Sequence, residues 1–252
     1  MNFKSTIGLL ALSATLISSV SCRRIISAFD EYECNSTGPI ITRTTTLPEI
    51  SGLRSSSGLQ VTYIQCDTAS VTVSAPDDVM ELIETIVSDS TLSCQSTKNL
   101  GSCAKKVTIV VKSPLITRLS ASSGSTLNIS GKYNADGRDI SAKASSGATL
   151  VINSVTAANG ITTKSSSGAS IFISDISASS ITSEASSGSS TDLNGKCENV
   201  DLHASSGASV SASSLESATG SASASSGGSI SCDIKNPVGI GSSSGGSVHN
   251  RR

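Results

Sequence analysis

The chain has 252 residues, with 18 basic against 19 acidic side chains, a formal net charge of −1, 2% aromatics and no tryptophan. That balance offers no cationic surface for a phosphate backbone, so nucleic acid is not an expected partner. Serine, alanine, threonine and glycine dominate, as in a disordered linker, yet the branched apolar residues keep a fixed phase that no linker requires.

Residues 1–21 carry Lys4, an apolar run from Ile7 to Ile17 and small residues up to Cys22. This is the layout of an export signal, and it is too short for a transmembrane anchor. Cys22 follows Ser19-Val20-Ser21, where a bacterial lipoprotein carries its lipidated cysteine, although Ser19 stands where leucine is more usual. The expectation is lipid attachment at Cys22, the membrane as a partner, and a polar tether over residues 22–39. Setting Cys22 aside, the seven cysteines leave an even number for an oxidising compartment. Cys94 and Cys103 flank a short polar loop and are expected to form a disulfide across it. A Cys34–Cys66 pairing has nothing to support it.

Residues 40–252 read as one β domain. Ile40 to Thr46 suits an edge strand, and the stretch around Gly58 already shows the phase described below, with Leu53, Ser55, Val61 and Tyr63 alternating about it. An insert over residues 66–113 interrupts it. Ser70 to Ser74, Ile83 to Val87, Thr91 to Gln95 and Val107 to Val111 read as strands, and Pro76-Asp77-Asp78 opens a short helical turn with acids at its amino end. The insert is expected to cover one end of the fold, whose open edge would otherwise pair with other chains.

From residue 114 to 248 the pattern is regular. Ser-Ser-Gly recurs with its glycine at Gly124, Gly147, Gly168, Gly188, Gly207, Gly227 and Gly245, at intervals of 23, 21, 20, 19, 20 and 18 residues. Three residues after each glycine stand Leu127, Leu150, Ile171, Thr191, Val210, Ile230 and Val248; five after stand Ile129, Ile152, Ile173, Leu193, Ala212 and Cys232. Seven before come Ile140, Ile161, Ile181, Val200 and Val238, with Gly220 as the exception, and three before come alanine or serine. Alternation on both flanks of a turn, repeated about every 20 residues, predicts a solenoid of stacked coils with a strand on each side of the turn. Val155, Ile176 and Leu215 suggest a third, shorter side. Glycine supplies positive φ at the corner, and the small residues around it fit a narrow interior. Cys197 and Cys232 fall two coils apart, roughly 9.6 Å along the axis, beyond the reach of a relaxed disulfide.

The order of parts resembles a known family. The edge strand and Ile-Ser-Gly-Leu turn of Ile40 to Tyr63, the Asp77-Asp78 insert, the strand from Val107 to Pro114 with its Ser-Pro-Leu exit and the Ser-Gly ladder look like the "putative auto-transporter adhesin, head GIN domain" family of Gram-negative envelope proteins. The resemblance implies a right-handed parallel β-helix on an exported, often lipid-anchored protein. It supplies no functional residue to carry over.

A β-helix enzyme needs carboxylates or bases converging on one face. Counted from the preceding glycine, Asp136, Asp139, Asp175, Asp192, Asp201, Glu216 and Asp233 fall at unrelated phases, so they read as solvated surface charge. His203 and His249 are too few and too separate for a metal site, and no cofactor is expected. Gly241 to Gly245 matches Gly-x-Ser-x-Gly without the strand-to-helix setting that motif requires. Asn134 to Asp139 carries oxygens suited to calcium, but Asp-Gly is first a turn signal. Phe172, four residues after its glycine, is expected to point outward and is the candidate binding contact. The expected function is a non-enzymatic scaffold or adhesion module at the outer membrane or cell surface, or in the periplasm if the anchor faces inward, with a glycan or host-surface ligand. The alternative is a β-helix that binds or cleaves polysaccharide.

Overall fold

The computed structural model describes Ser36 and residues 38–252. The corners decide the architecture. At each Ser-Ser-Gly both the second serine and the glycine have positive φ, 52° at Ser146 and 69° at Gly147 for example. The next N–H closes on the first serine, Ala148 N to Ser145 O at 3.1 Å. Two successive left-handed residues with this closure give the φ pattern of a type I′ turn, which reverses a chain in the least space. The serine before the glycine is exposed rather than packed into the narrow interior.

Corners also stack. Gly124 N donates to Ser146 O at 3.0 Å, Gly147 N to Ser167 O at 3.0 Å and Gly168 N to Ser187 O at 3.1 Å, so the ladder of backbone bonds continues through the turn. Hydroxyls pair inside the solenoid instead. Ser165 Oγ lies 2.9 Å from both Ser189 Oγ and Thr191 Oγ1, and Thr163 donates to Ser183 at 2.9 Å, all of them buried.

The side before each corner is built by β2 (Gly52–Ser55), β8 (Arg118–Ala121), β10 (Ile140–Ala144) and the later halves of β11 (Thr149–Ser165), β12 (Ser170–Ala185), β13 (Ser190–Ala204), β14 (Ser209–Ala224) and β15 (Ser229–Ser242). The side after it is built by β3 (Gln60–Gln65), β9 (Thr126–Asn134), the earlier halves of β11 to β15, and β16 (Ser247–Asn250). All neighbouring pairs in these stacks are parallel. Leu127, Leu150, Ile171, Thr191, Val210 and Ile230 stand in one register and are buried, as the sequence phase predicts. The third side is present too, with Tyr133, Val155, Ile176, Gly195 and Leu215 in register. A Cβ on Gly195 would sit 2.3 Å from Ile176 N, which explains the gap in that apolar row.

One expected row breaks. Ile140, Ile161, Ile181, Val200 and Gly220 align, but Gly220 then pairs with Pro237, the register shifts, and Val238 turns out to solvent at 78% exposure.

The insert does more than cover an end. It comprises β4 (Ser70–Pro76), α1 (Asp77–Met80), β5 (Ile83–Ser88), β6 (Thr91–Ser96), a 3₁₀ helix (Gly101–Lys106) and β7 (Thr108–Ser113). β6 runs parallel to β2 and β7 parallel to β3, so the insert adds a whole coil outside the first Ser-Ser-Gly coil. β5 closes it antiparallel on β6, while β4 and then β1 (Ile40–Thr46) close the other side antiparallel on β7.

This register corrects the disulfide. Cys94 aligns with Ser55, and Ser55 with Ala121, in the row of small residues three before the corner glycine. Its side chain fills the tight interior there, buried and free, and the expected Cys94–Cys103 bond is not made. Cys103 is itself disulfide-bonded. Cys66, Cys197 and Cys232 are free thiols, so the Cys34–Cys66 pairing is not made either. The export signal, Cys22 and Cys34 lie outside the described residues.

Candidate functional site

A strand that buries every second residue exposes the others on its outer face. On the side before the corner, the outward positions are four and six residues before each glycine. The first of these columns runs Arg54, Ser120, Lys143, Lys164, Glu184, His203 in register from strand to strand. Beside it run Arg118, Ser141, Thr162, Thr182, Asp201 and Ser221. Together the two columns carry Arg54, Arg118, Lys143, Lys164, Glu184, Asp201 and His203.

The two halves of this face differ. Toward the insert, Arg54, Arg118 and Lys143 surround a shallow depression of about 140 Å³ whose floor and rim include Ser120, Ser141 and Thr91. The Arg118 guanidinium is fixed by Nη2, which donates to Ser51 Oγ at 3.0 Å and to Asp89 O and Thr91 Oγ1 at 3.4 Å. None of these acceptors is a carboxylate. Arg54 and Lys143 have no ion-pair partner among the described residues.

Toward the other end the charged and polar side chains contact one another. Lys164 Nζ lies 2.8 Å from Glu184 Oε2, and His203 Nε2 lies 3.1 Å from Asp201 Oδ2. The Ser221 hydroxyl donates to the other oxygen of Asp201. A serine, an aspartate and a histidine therefore meet, but in the wrong order. A nucleophile needs its hydroxyl on the imidazole that takes its proton, and here both hydroxyl and imidazole sit on the carboxylate.

The remaining candidates are scattered. Phe172 points outward as expected, 41% exposed, between Val151 and Asp192 in register. Among the described residues no second ring joins it; the ring pair Tyr63–Tyr133 is buried, with centroids 5.9 Å apart. Asp175 accepts from Ser154 at 2.7 Å, and Asp233 pairs with Arg252 at 2.6 Å. In the Asn134 to Asp139 segment, Asp136 and Gly137 form a left-handed turn with φ of 50° and 69°, and Asn134 Oδ1 is used by the Asp136 N–H at 3.1 Å. Among the described residues no group of three or more His, Cys, Asp or Glu is placed to hold a metal. Gly241 to Gly245 is one more corner, with φ of 47° at Ser244 and 77° at Gly245, and not a nucleophile elbow. No helix among the described residues is long and apolar enough to cross a membrane.

The charged face was legible but missed. Counted from the following glycine rather than the preceding one, Asp201 falls in the same outward row as Arg118, and Lys143, Lys164, Glu184 and His203 fall in the adjacent one.

Comparison with known proteins finds a family and solved structures that share this fold. The family model described as "Putative auto-transporter adhesin, head GIN domain" matches residues 50–251. The chain belongs to that family. Among solved structures, a "putative adhesin" from Parabacteroides merdae superposes with a TM-score of 0.71 at 11% identity, covering 86% of this chain and 98% of that one. A "Putative lipid binding protein" from Parabacteroides distasonis gives 0.67 at 14% identity with the same coverage, and a "putative adhesin" from that organism gives 0.69 at 14%, covering 86% and 96%. At such identities these structures carry the fold of the head GIN domain alone. No curated protein matches the chain.

Proposed function

We propose that this head GIN domain protein is a non-enzymatic adhesion module of the cell envelope, exported by its first 21 residues and held at the membrane by lipid on Cys22. The observation that carries the reading is the division of labour among its polar groups. Corner amides and interior hydroxyls are used in stacking coils, while one outer face keeps regular, outward charges. Adhesion needs such a stiff, extended display and no activated nucleophile. The alternative of a β-helix that cleaves polysaccharide is tested directly by a reducing-sugar assay on candidate polysaccharides.

The anchor is tested by labelled palmitate. Cells expressing the full chain should incorporate label into it and hold it in the membrane fraction, and Cys22→Ala should abolish both. A mature protein that is soluble and begins at another residue would overturn the anchoring.

A further inference from the structure

We propose that the depression bounded by Arg54, Arg118 and Lys143 binds the acid groups of an anionic polysaccharide lying along the solenoid axis. The proposal deepens the adhesion reading and rests on it for its biological setting.

Arg54, Ser120 and Lys143 occupy one row on successive strands, so the two cations stand two strand spacings apart, roughly 10 Å at the backbone, with a hydroxyl between them. Arg118 lies on the Ser120 strand two residues away and on the same face. The three cations thus form a triangle about Ser120, with Ser141 and Thr91 at its edge. A trio of like charges held this close repels itself, and neither Arg54 nor Lys143 has a carboxylate to relieve it. Further along the same column Lys164 does have one, in Glu184. The fold therefore neutralises this column at one point and leaves it open at another.

The chemistry of the opening selects the ligand. Guanidinium groups hold carboxylate, sulfate or phosphate oxygens through paired N–H bonds, and the flanking hydroxyls suit the hydroxyls of sugars. A planar anionic membrane is a poorer fit. The whole chain carries a net charge of −1, and Asp89, Glu184 and Asp201 border or share this side of the molecule. A flat sheet of negative charge would meet those acids together with the cations, since screening at physiological salt acts only beyond about 8 Å. A narrow polymer seated in the depression lies against Arg54, Arg118 and Lys143, and Lys164 stands between it and Glu184.

The test uses the full chain purified in detergent, measured on immobilised heparin, on polygalacturonate and on neutral dextran. Retention on one or both acidic polymers and not on dextran, weakening as salt rises, is the expected result; retention on polygalacturonate means that carboxylate suffices, and retention on heparin alone means that sulfate is required. Arg54→Ser with Lys143→Ser should weaken that binding at least about tenfold. Both side chains are exposed, so circular dichroism and thermal unfolding should stay unchanged. Lys132→Ser, on the third side, is the control and should bind as before. Equal binding by the double variant, or equal retention on dextran, overturns the proposal. So does binding to vesicles containing phosphatidylglycerol as tight as to the polymers and equally sensitive to the two substitutions. Adhesion of intact cells separates this failure from that of the broader reading. Adhesion that survives in the double variant sinks the polysaccharide site alone; cells that never adhere, with a purified chain that still binds, sink the adhesion role alone.

Discussion

At the scale of single residues, the corner sets up a contest between conformation and packing. Ser167 has φ of 52° and Gly168 has φ of 70°, and a Cβ built on Gly168 meets nothing within 4 Å. Left-handed backbone costs an ordinary L-residue about 1–2 kcal/mol, whereas asparagine adopts it more readily and glycine freely. With no clash to add, Gly168→Ala should destabilise by about 1 kcal/mol from backbone conformation alone. Ser167→Asn should act in the opposite sense, stabilising by about 0.5 kcal/mol, because it creates the Asn-Gly pair that type I′ turns favour. Urea unfolding of the two variants beside the parent chain checks the signs. A stabilising Gly168→Ala would mean that the left-handed corner is not the conformation in solution.

At the scale of elements, the row of small residues before the corner explains why Cys94 is a packing residue. In line with Ser55 and Ala121, it is sealed from water, and burial pushes its thiol up to about 12 from an ordinary 9.0. An acid whose folded value is raised stays neutral in the fold while the unfolded chain ionises first. Its contribution to stability is therefore complete below pH 9 and is lost as pH climbs from there toward 12. Buried Tyr63 and Tyr133 are also shifted upward by burial, so the same alkaline range strains the insert end of the solenoid. Cys94→Ala places in this row the residue it holds at Ala121 and Ala144, and should move the midpoint of alkaline unfolding to higher pH with little change at pH 7. An unchanged midpoint would place the thiol in contact with water. The same element shows what the sequence could and could not carry. Rows of Leu150, Ile171 and Val210 announced themselves because each coil repeats its neighbour, so phase reports contact directly. The insert has no Ser-Ser-Gly to set a zero, so β6 and β7 looked like a cover when they are a coil, and Cys94 looked like one half of a loop staple. The charged face needed only a count from the other side of the glycine.

At the scale of the whole molecule, a parallel solenoid has two ends, and each is a row of backbone groups seeking a partner. At the insert end, β5 lies antiparallel on β6 and β4 antiparallel on β7, with β1 in turn antiparallel on β4, and these strands turn the edge of the last coil aside. At the other, β16 covers only the stretch from Ser229 to Cys232, and among the described residues nothing pairs with the outer edge of β15 from Lys235 to Ser242. That edge exposes Val238 at 78% and Ile240 at 44%, an apolar pair that would invite a second chain. Pro237 stands between Lys235 and Val238, and it brings no N–H to the edge; the register shift beside it bends Val238 out of line. Proline, a lysine and a bulge are means by which natural sheets keep edges from joining, and this edge of β15 carries all three. Pro237→Val restores the missing donor and a strand-forming side chain at one step. It should raise concentration-dependent self-association, seen as a growing weight-average mass in light scattering. Adding Val238→Lys to the same chain should reverse the gain by returning charge to the edge. If Pro237→Val stays monomeric at every concentration at which the parent chain does, the irregular path of β15 is enough by itself to hold the end apart, and the proline is there for the bend and not for the donor it lacks.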